Sequence, residues 1–114
     1  SFPMQRSEVI ARIEGLINFM NINMADKLSA RSYSPMYGSK YCRIIVDSPQ
    51  RSAFMFVDLA NGDIYKTASW AAPAKHVRGN IFNDNFDAGK AFGQYGARYL
   101  TGNSYLTPVK NLIG

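Results

Sequence analysis

The chain has 114 residues, a formal net charge of +5, 46% hydrophobic and 18% charged residues, and a single cysteine. That length supports one domain with its own core, and that composition excludes intrinsic disorder. One cysteine excludes an intramolecular disulfide and a thiolate metal cluster, and no apolar run reaches the length of a membrane-spanning helix.

The expected fold class is α+β. An N-terminal helix within residues 1–30 is followed by a small, strongly bent antiparallel β-sheet or barrel within residues 40–114, all in a single domain over 1–114. Val9, Ile13, Leu16, Ile17, Met20, Met24 and Leu28 recur at three- and four-residue steps and form one apolar stripe. The helix should therefore run from Ser7 to Leu28, with Ser7 as N-cap and Glu8 in the first turn against the positive helix end. Its stripe should cover a sheet edge or barrel mouth, or serve as a subunit contact.

Arg31 to Ser39, punctuated by Pro35 and Gly38, reads as a loop whose tyrosines are expected to pack on the sheet, with exposure for base stacking as the alternative. Lys40 to Asp47 is the first expected strand. Cys42, Ile44 and Val46 share one face, while Tyr41, Arg43, Ile45 and Asp47 share a mixed one. Cys42 thus reads as a small buried hydrophobe. Ser48 to Arg51 is a polar turn. Ala53 to Leu59 is the second strand, with Phe54, Phe56 and Asp58 on one face and Met55, Val57 and Leu59 on the other. Both faces are largely apolar, so both should be covered. Asn61-Gly62 predicts a tight type I′ turn, since both residues accept positive φ. Asp63 to Ala68 is then the return strand.

Ser69 to Ala74 is rich in small residues and contains Pro73, which suits an extended crossing segment. Trp70 is expected as a core plug, with a stacking platform as the alternative. A basic run follows: Lys75, His76 and Arg78, then Asn80, with Lys66 a little upstream. Arginine offers a rigid donor fork to phosphate and asparagine can read a base edge. Gly79 between Arg78 and Asn80 implies a bulge, a turn or a close backbone approach. The competing reading is a solvated turn fixed by a pair between Arg78 and Asp84 or Asp87. His76 alone cannot hold zinc, which wants three or four ligands. Asn83 to Gly89 reads as a turn. Lys90 to Leu100 reads as a frayed helix or a turn followed by a strand, and Tyr105 to Ile113 as an edge strand or coil.

Gly62-Asp63-Ile64-Tyr65-Lys66-Thr67-Ala68-Ser69-Trp70, Ala72-Pro73-Ala74-Lys75 and Arg78-Gly79-Asn80-Ile81-Phe82, with the later Tyr95 to Leu100, resemble a group of small proteins from bacteriophages and marine metagenomes. That resemblance implies a phage protein in the cytoplasm of an infected bacterial host. A helix followed by short bent strands is also similar to the Sm-like fold, and Val77-Arg78-Gly79-Asn80 resembles the apolar-Arg-Gly-Asn stretch of its second element. Asp58 and Asn61 stand closer together than the Asp and Asn of the first Sm element. The Sm resemblance implies a cyclic homo-oligomer whose arginine and its neighbours hold single-stranded RNA.

The expected function is therefore a small oligomeric binding protein for single-stranded RNA or another phosphate-bearing ligand. The expected site is Lys66, Trp70, Lys75, His76, Arg78 and Asn80. The alternatives are a structural or virion-associated interaction protein and a protein that sequesters a nucleotide. No paired carboxylates share an element, no nucleophile has an evident base, and no Walker loop occurs, so neither an enzyme nor a cofactor is expected.

Overall fold

A computed structural model describes residues 5–23, 31–47 and 49–83. One helix, α1 (Arg6–Asn23), precedes strands β1 (Ser32–Tyr37), β2 (Tyr41–Asp47), β3 (Arg51–Asp58), β4 (Asp63–Tyr65) and β5 (Gly79–Asn80). The strands form one antiparallel sheet in the order β1-β2-β3-β4-β5. The sheet is not closed into a barrel: β1 and β5 lie at opposite ends of that order.

The helical stripe is buried as its spacing predicts, but against a face of the open sheet and not across an edge or a barrel mouth. Val9, Ile13, Leu16, Ile17 and Met20 are buried against Tyr33, Cys42, Ile44, Phe54, Met55, Val57, Leu59, Ile64 and Ile81. Met24 and Leu28 lie outside the described residues. Gln5, not Ser7, is the cap. The Gln5 N–H donates to Glu8 Oε1 at 3.1 Å, and its carbonyl accepts from the Glu8 N–H at 3.0 Å. Glu8 thus reaches back over the first turn as the distal residue of a capping box does.

Residues 32–37, expected as loop, form β1 along the whole of β2. Proline disguised it. The Gly38 N–H donates to the Tyr41 carbonyl at 2.8 Å. Hydrogen-bonded and non-hydrogen-bonded pairs alternate from there, so Pro35, opposite Ile44, has its nitrogen facing away from β2. An edge strand tolerates proline there because no ladder bond is lost. Of the two loop tyrosines, Tyr33 is packed, edge-on to Phe54 at 5.0 Å, while Tyr37 is exposed.

The expected strand faces are corrected at one point. Ile44 pairs with Met55 but Ile45 pairs with Ala53, so Phe54 is an extra residue on β3. This bulge moves Phe54 onto the helix-covered face with Met55 and Val57, and leaves Phe56 on the other. The hairpin turn is corrected too. Gly62 has φ 83°, but Asn61 is not among the positive-φ residues, so the turn is not type I′. Instead the Gly62 N–H closes on the Asp58 carbonyl at 2.8 Å, and the buried Asp58 carboxylate accepts from the Ala60 N–H at 2.8 Å. A Cβ at Gly62 would stand 2.7 Å from the Phe82 ring, a second reason for glycine. The return strand stops at Tyr65 instead of reaching Ala68.

Candidate functional site

α1 covers one face of the sheet. The opposite face carries a cross-strand row set by register: Met36 opposite Arg43, Arg43 opposite Phe56, Phe56 opposite Tyr65. Tyr41 sits beside that row, edge-on to Phe56 at 6.1 Å and to Tyr65 at 5.7 Å. Edge-to-face contact is the favoured geometry for aromatic pairs and fixes their orientation.

A loop folds over this face. The Ala74 N–H donates to the Lys66 carbonyl, the Ala68 and Ser69 N–H groups to the Ala72 carbonyl, and the Ala71 N–H to Ser69 Oγ. Thr67 bridges Pro73. The expected crossing segment is therefore a closed excursion whose ends meet beside β4. Small residues permit so tight a path. At its tip the Trp70 carbonyl accepts from Arg43 Nε at 2.6 Å, so the loop passes over β3 to reach β2. The Arg43 guanidinium lies 4.8 Å from the Trp70 ring and 5.4 Å from the Phe56 ring, and Arg51 lies 5.7 Å from Trp70. These are cation–π distances. Trp70 is 42% exposed, so it is not the core plug that its size suggested.

Beside the loop, a cleft of about 320 Å³ opens between the β1–β2 hairpin and Ala71. Met36, Tyr37, Lys40, Tyr41, Arg43 and Phe56 line it, and among the described residues no acidic one does. Burial pushes the Tyr37 hydroxyl up to about 12, with Cys42 and Glu14 adding to the shift, so near neutral pH it remains a neutral phenol. Burial likewise pushes the Cys42 thiol up to about 12. Cys42 faces the helix-side core and is no nucleophile.

The residues predicted from sequence do not assemble into one patch. Trp70 is at the loop tip. Lys66 and Lys75 flank the loop base, where the Lys66 carbonyl meets the Ala74 N–H, and Lys75 and His76 are exposed. His76 has φ 77°, a left-handed conformation that histidine tolerates better than most residues. The Arg78 backbone donates to the Ile64 carbonyl at 2.7 Å. Gly79 is buried in β5, so the expected turn is a short strand. Asn80 is committed to the fold: its Nδ2 donates to the Asn61 carbonyl and Asp63 Oδ1, and its Oδ1 accepts from the Phe82 N–H. It has no amide edge left for a base. Asp84 and Asp87, the expected alternative partners of Arg78, lie outside the described residues.

Sequence reading missed Tyr41, Arg43, Arg51, Phe56 and Tyr65. The mixed aromatic and cationic face of Lys40 to Asp47 was the available signal. Among the described residues, no group of three His, Cys, Asp or Glu could hold a metal ion, and no helix is long and apolar enough to cross a membrane.

A search of curated proteins and a search of solved structures return no match. Residues 4–94 match a family described as "Family of unknown function (DUF7717)". The match spans the helix, all five strands and the Trp70 loop, and the chain belongs to that family.

Proposed function

We propose that this protein is a non-enzymatic binding protein for single-stranded RNA, with the face of the sheet opposite α1 as its contact surface. The observation that carries this reading is the exposed Trp70 ring beside the Arg43 and Arg51 guanidinia, next to Tyr41, Phe56 and Tyr65. Single strands are held by aromatic faces on which bases stack and by cations that follow the backbone, each stacked base contributing about 1–3 kcal/mol. Sheet faces suit this task because alternation places one row of side chains outward in register. The net charge of +5 adds long-range attraction for phosphate. The basic turn of Lys75, His76 and Arg78, with Lys66, supplies phosphate contacts at the loop base, not the main surface.

The finer readings belong with this proposal. They are kinship to Sm-like proteins, phage origin, action in the cytoplasm of an infected host, and a cyclic homo-oligomer. The helix-then-strands order and the Val77-Arg78-Gly79-Asn80 stretch support the first.

The test is fluorescence anisotropy of a labelled single-stranded RNA at low salt, with native protein, Trp70→Ala and the Lys75→Ala/Arg78→Ala pair. Trp70→Ala is expected to weaken binding roughly tenfold or more at unchanged melting temperature. The Lys75/Arg78 variant should weaken it less and flatten its salt dependence. No binding by the native protein at low salt would remove the proposal and leave a structural or interaction role.

A further inference from the structure

We propose that the cleft at the β1–β2 hairpin binds a single nucleotide unit bearing a terminal phosphate. The inference rests on the RNA-binding reading and narrows it to a defined subsite. The cleft's 320 Å³ stands at the lower end of the range for small-molecule sites, about 300–1,000 Å³. It suits one nucleotide and is too small for a run of strand.

The lining matches that ligand in kind. Tyr41 supplies aromatic surface for a base, with the buried Phe56 ring beneath it, and Lys40 and Arg43 supply the charge for a phosphate. Arg43 is held in advance. Its Nε donates to the Trp70 carbonyl at 2.6 Å and its Nη1 to Met36 Sδ at 2.9 Å, a weak acceptor, while Nη2 has no hydrogen-bond partner among the described residues. A guanidinium fixed on one side and open on the other is ready for an anion. Lys40 Nζ stands 3.8 Å from Asp58 Oδ2 and 5.4 Å from the Tyr41 ring, with a side chain 67% exposed, so it can turn into the cleft at small cost.

The neighbouring cavity, of about 390 Å³, makes the contrast. It includes the Asp58 carboxylate, and its Arg6 is already bound to the Gly38 and Ser39 carbonyls. An anion would meet a like charge there, beside an Arg6 already held by two backbone carbonyls.

Trp70 is the only tryptophan, and the adjacent Ala71 lines the cleft, so its fluorescence reports occupancy. Uridine 5′-monophosphate, adenosine 5′-monophosphate, the two unphosphorylated nucleosides, and 5′-phosphorylated and 5′-hydroxyl hexanucleotides are titrated separately into the native protein. The expected result is a saturable change with at least one mononucleotide and a much weaker one with its nucleoside. Lys40→Gln, at an exposed position, should weaken mononucleotide binding roughly tenfold at unchanged melting temperature, and Tyr41→Ala should weaken it by a similar factor. Tighter binding of the 5′-phosphorylated hexamer than of the hydroxyl form makes a strand end the source; equal binding makes it the free nucleotide. A hexamer response without any mononucleotide response overturns the pocket and leaves the RNA surface standing. Mononucleotide binding that survives both substitutions also overturns it. No response to any of these ligands overturns both.

Discussion

Cys42 illustrates how one position reports on the core. It is fully buried on the helix side of β2, and burial raises its thiol from an ordinary 9 to about 12. The folded state therefore holds the proton more tightly than the unfolded chain. Stability from this source is complete below about pH 9 and is lost as pH rises from there toward 12. Tyr37 and Tyr65 are shifted in the same direction by burial and act with the same sign. The melting temperature should fall between pH 8 and pH 10.5, and Cys42→Ala should make that fall shallower. An equal slope in native protein and variant would show that the thiol is not the source. The burial of Cys42 was legible from its aliphatic neighbours Ile44 and Val46. Trp70 was not, because nothing local reveals that its loop ends beside Arg43 instead of in the core.

Among the elements, β1 shows how an edge strand is protected. Asn21 on α1 donates through Nδ2 to the Tyr33 carbonyl at 2.9 Å and accepts the Tyr33 N–H through Oδ1 at 2.7 Å. Pro35 offers no N–H to the same open side. The outward row of β1 is thus partly spent, which blocks pairing with another chain. Arg6, on the carbonyls of Gly38 and Ser39, holds the other end of the helix to the same hairpin. Asn21→Ala should destabilise the protein by about 1–2 kcal/mol through the loss of these bonds. Asn18→Ala, at an exposed helical position, should change little. Denaturant titration of both variants checks the difference, and equal midpoints would count against the clamp. The helix was legible from its period of apolar residues. β1 was not, because proline and glycine around it carry the same signal in a loop as on an edge.

For the whole molecule, the sheet has two unlike faces and two unlike edges. One face is closed by α1; the other carries aromatic and cationic groups under the Trp70 loop. The β1 edge is blunted as described, whereas β5 pairs only with β4 among the described strands. The cyclic assembly proposed above should therefore form through the β5 side and leave β1 free. Light scattering is expected to report an oligomer that persists in Asn21→Ser at the native subunit number. A monomer at high protein concentration would remove the assembly.

The sequence by itself determined the α+β class, the buried stripe of α1, the burial of Cys42 and the position of the β3–β4 turn. Each follows from local periodicity or from a residue that few conformations accept. Tertiary structure decided the rest. A bulge at Phe54 reassigned one aromatic to the helix side and left Phe56 for the outer face. Register placed Met36, Arg43, Phe56 and Tyr65 in one row from four different strands. A closed loop then carried Trp70 back across β3. These outcomes depend on strand pairing between residues distant in sequence, and a one-residue bulge, which moves a side chain to the other face, is not visible in the spacing along a single strand.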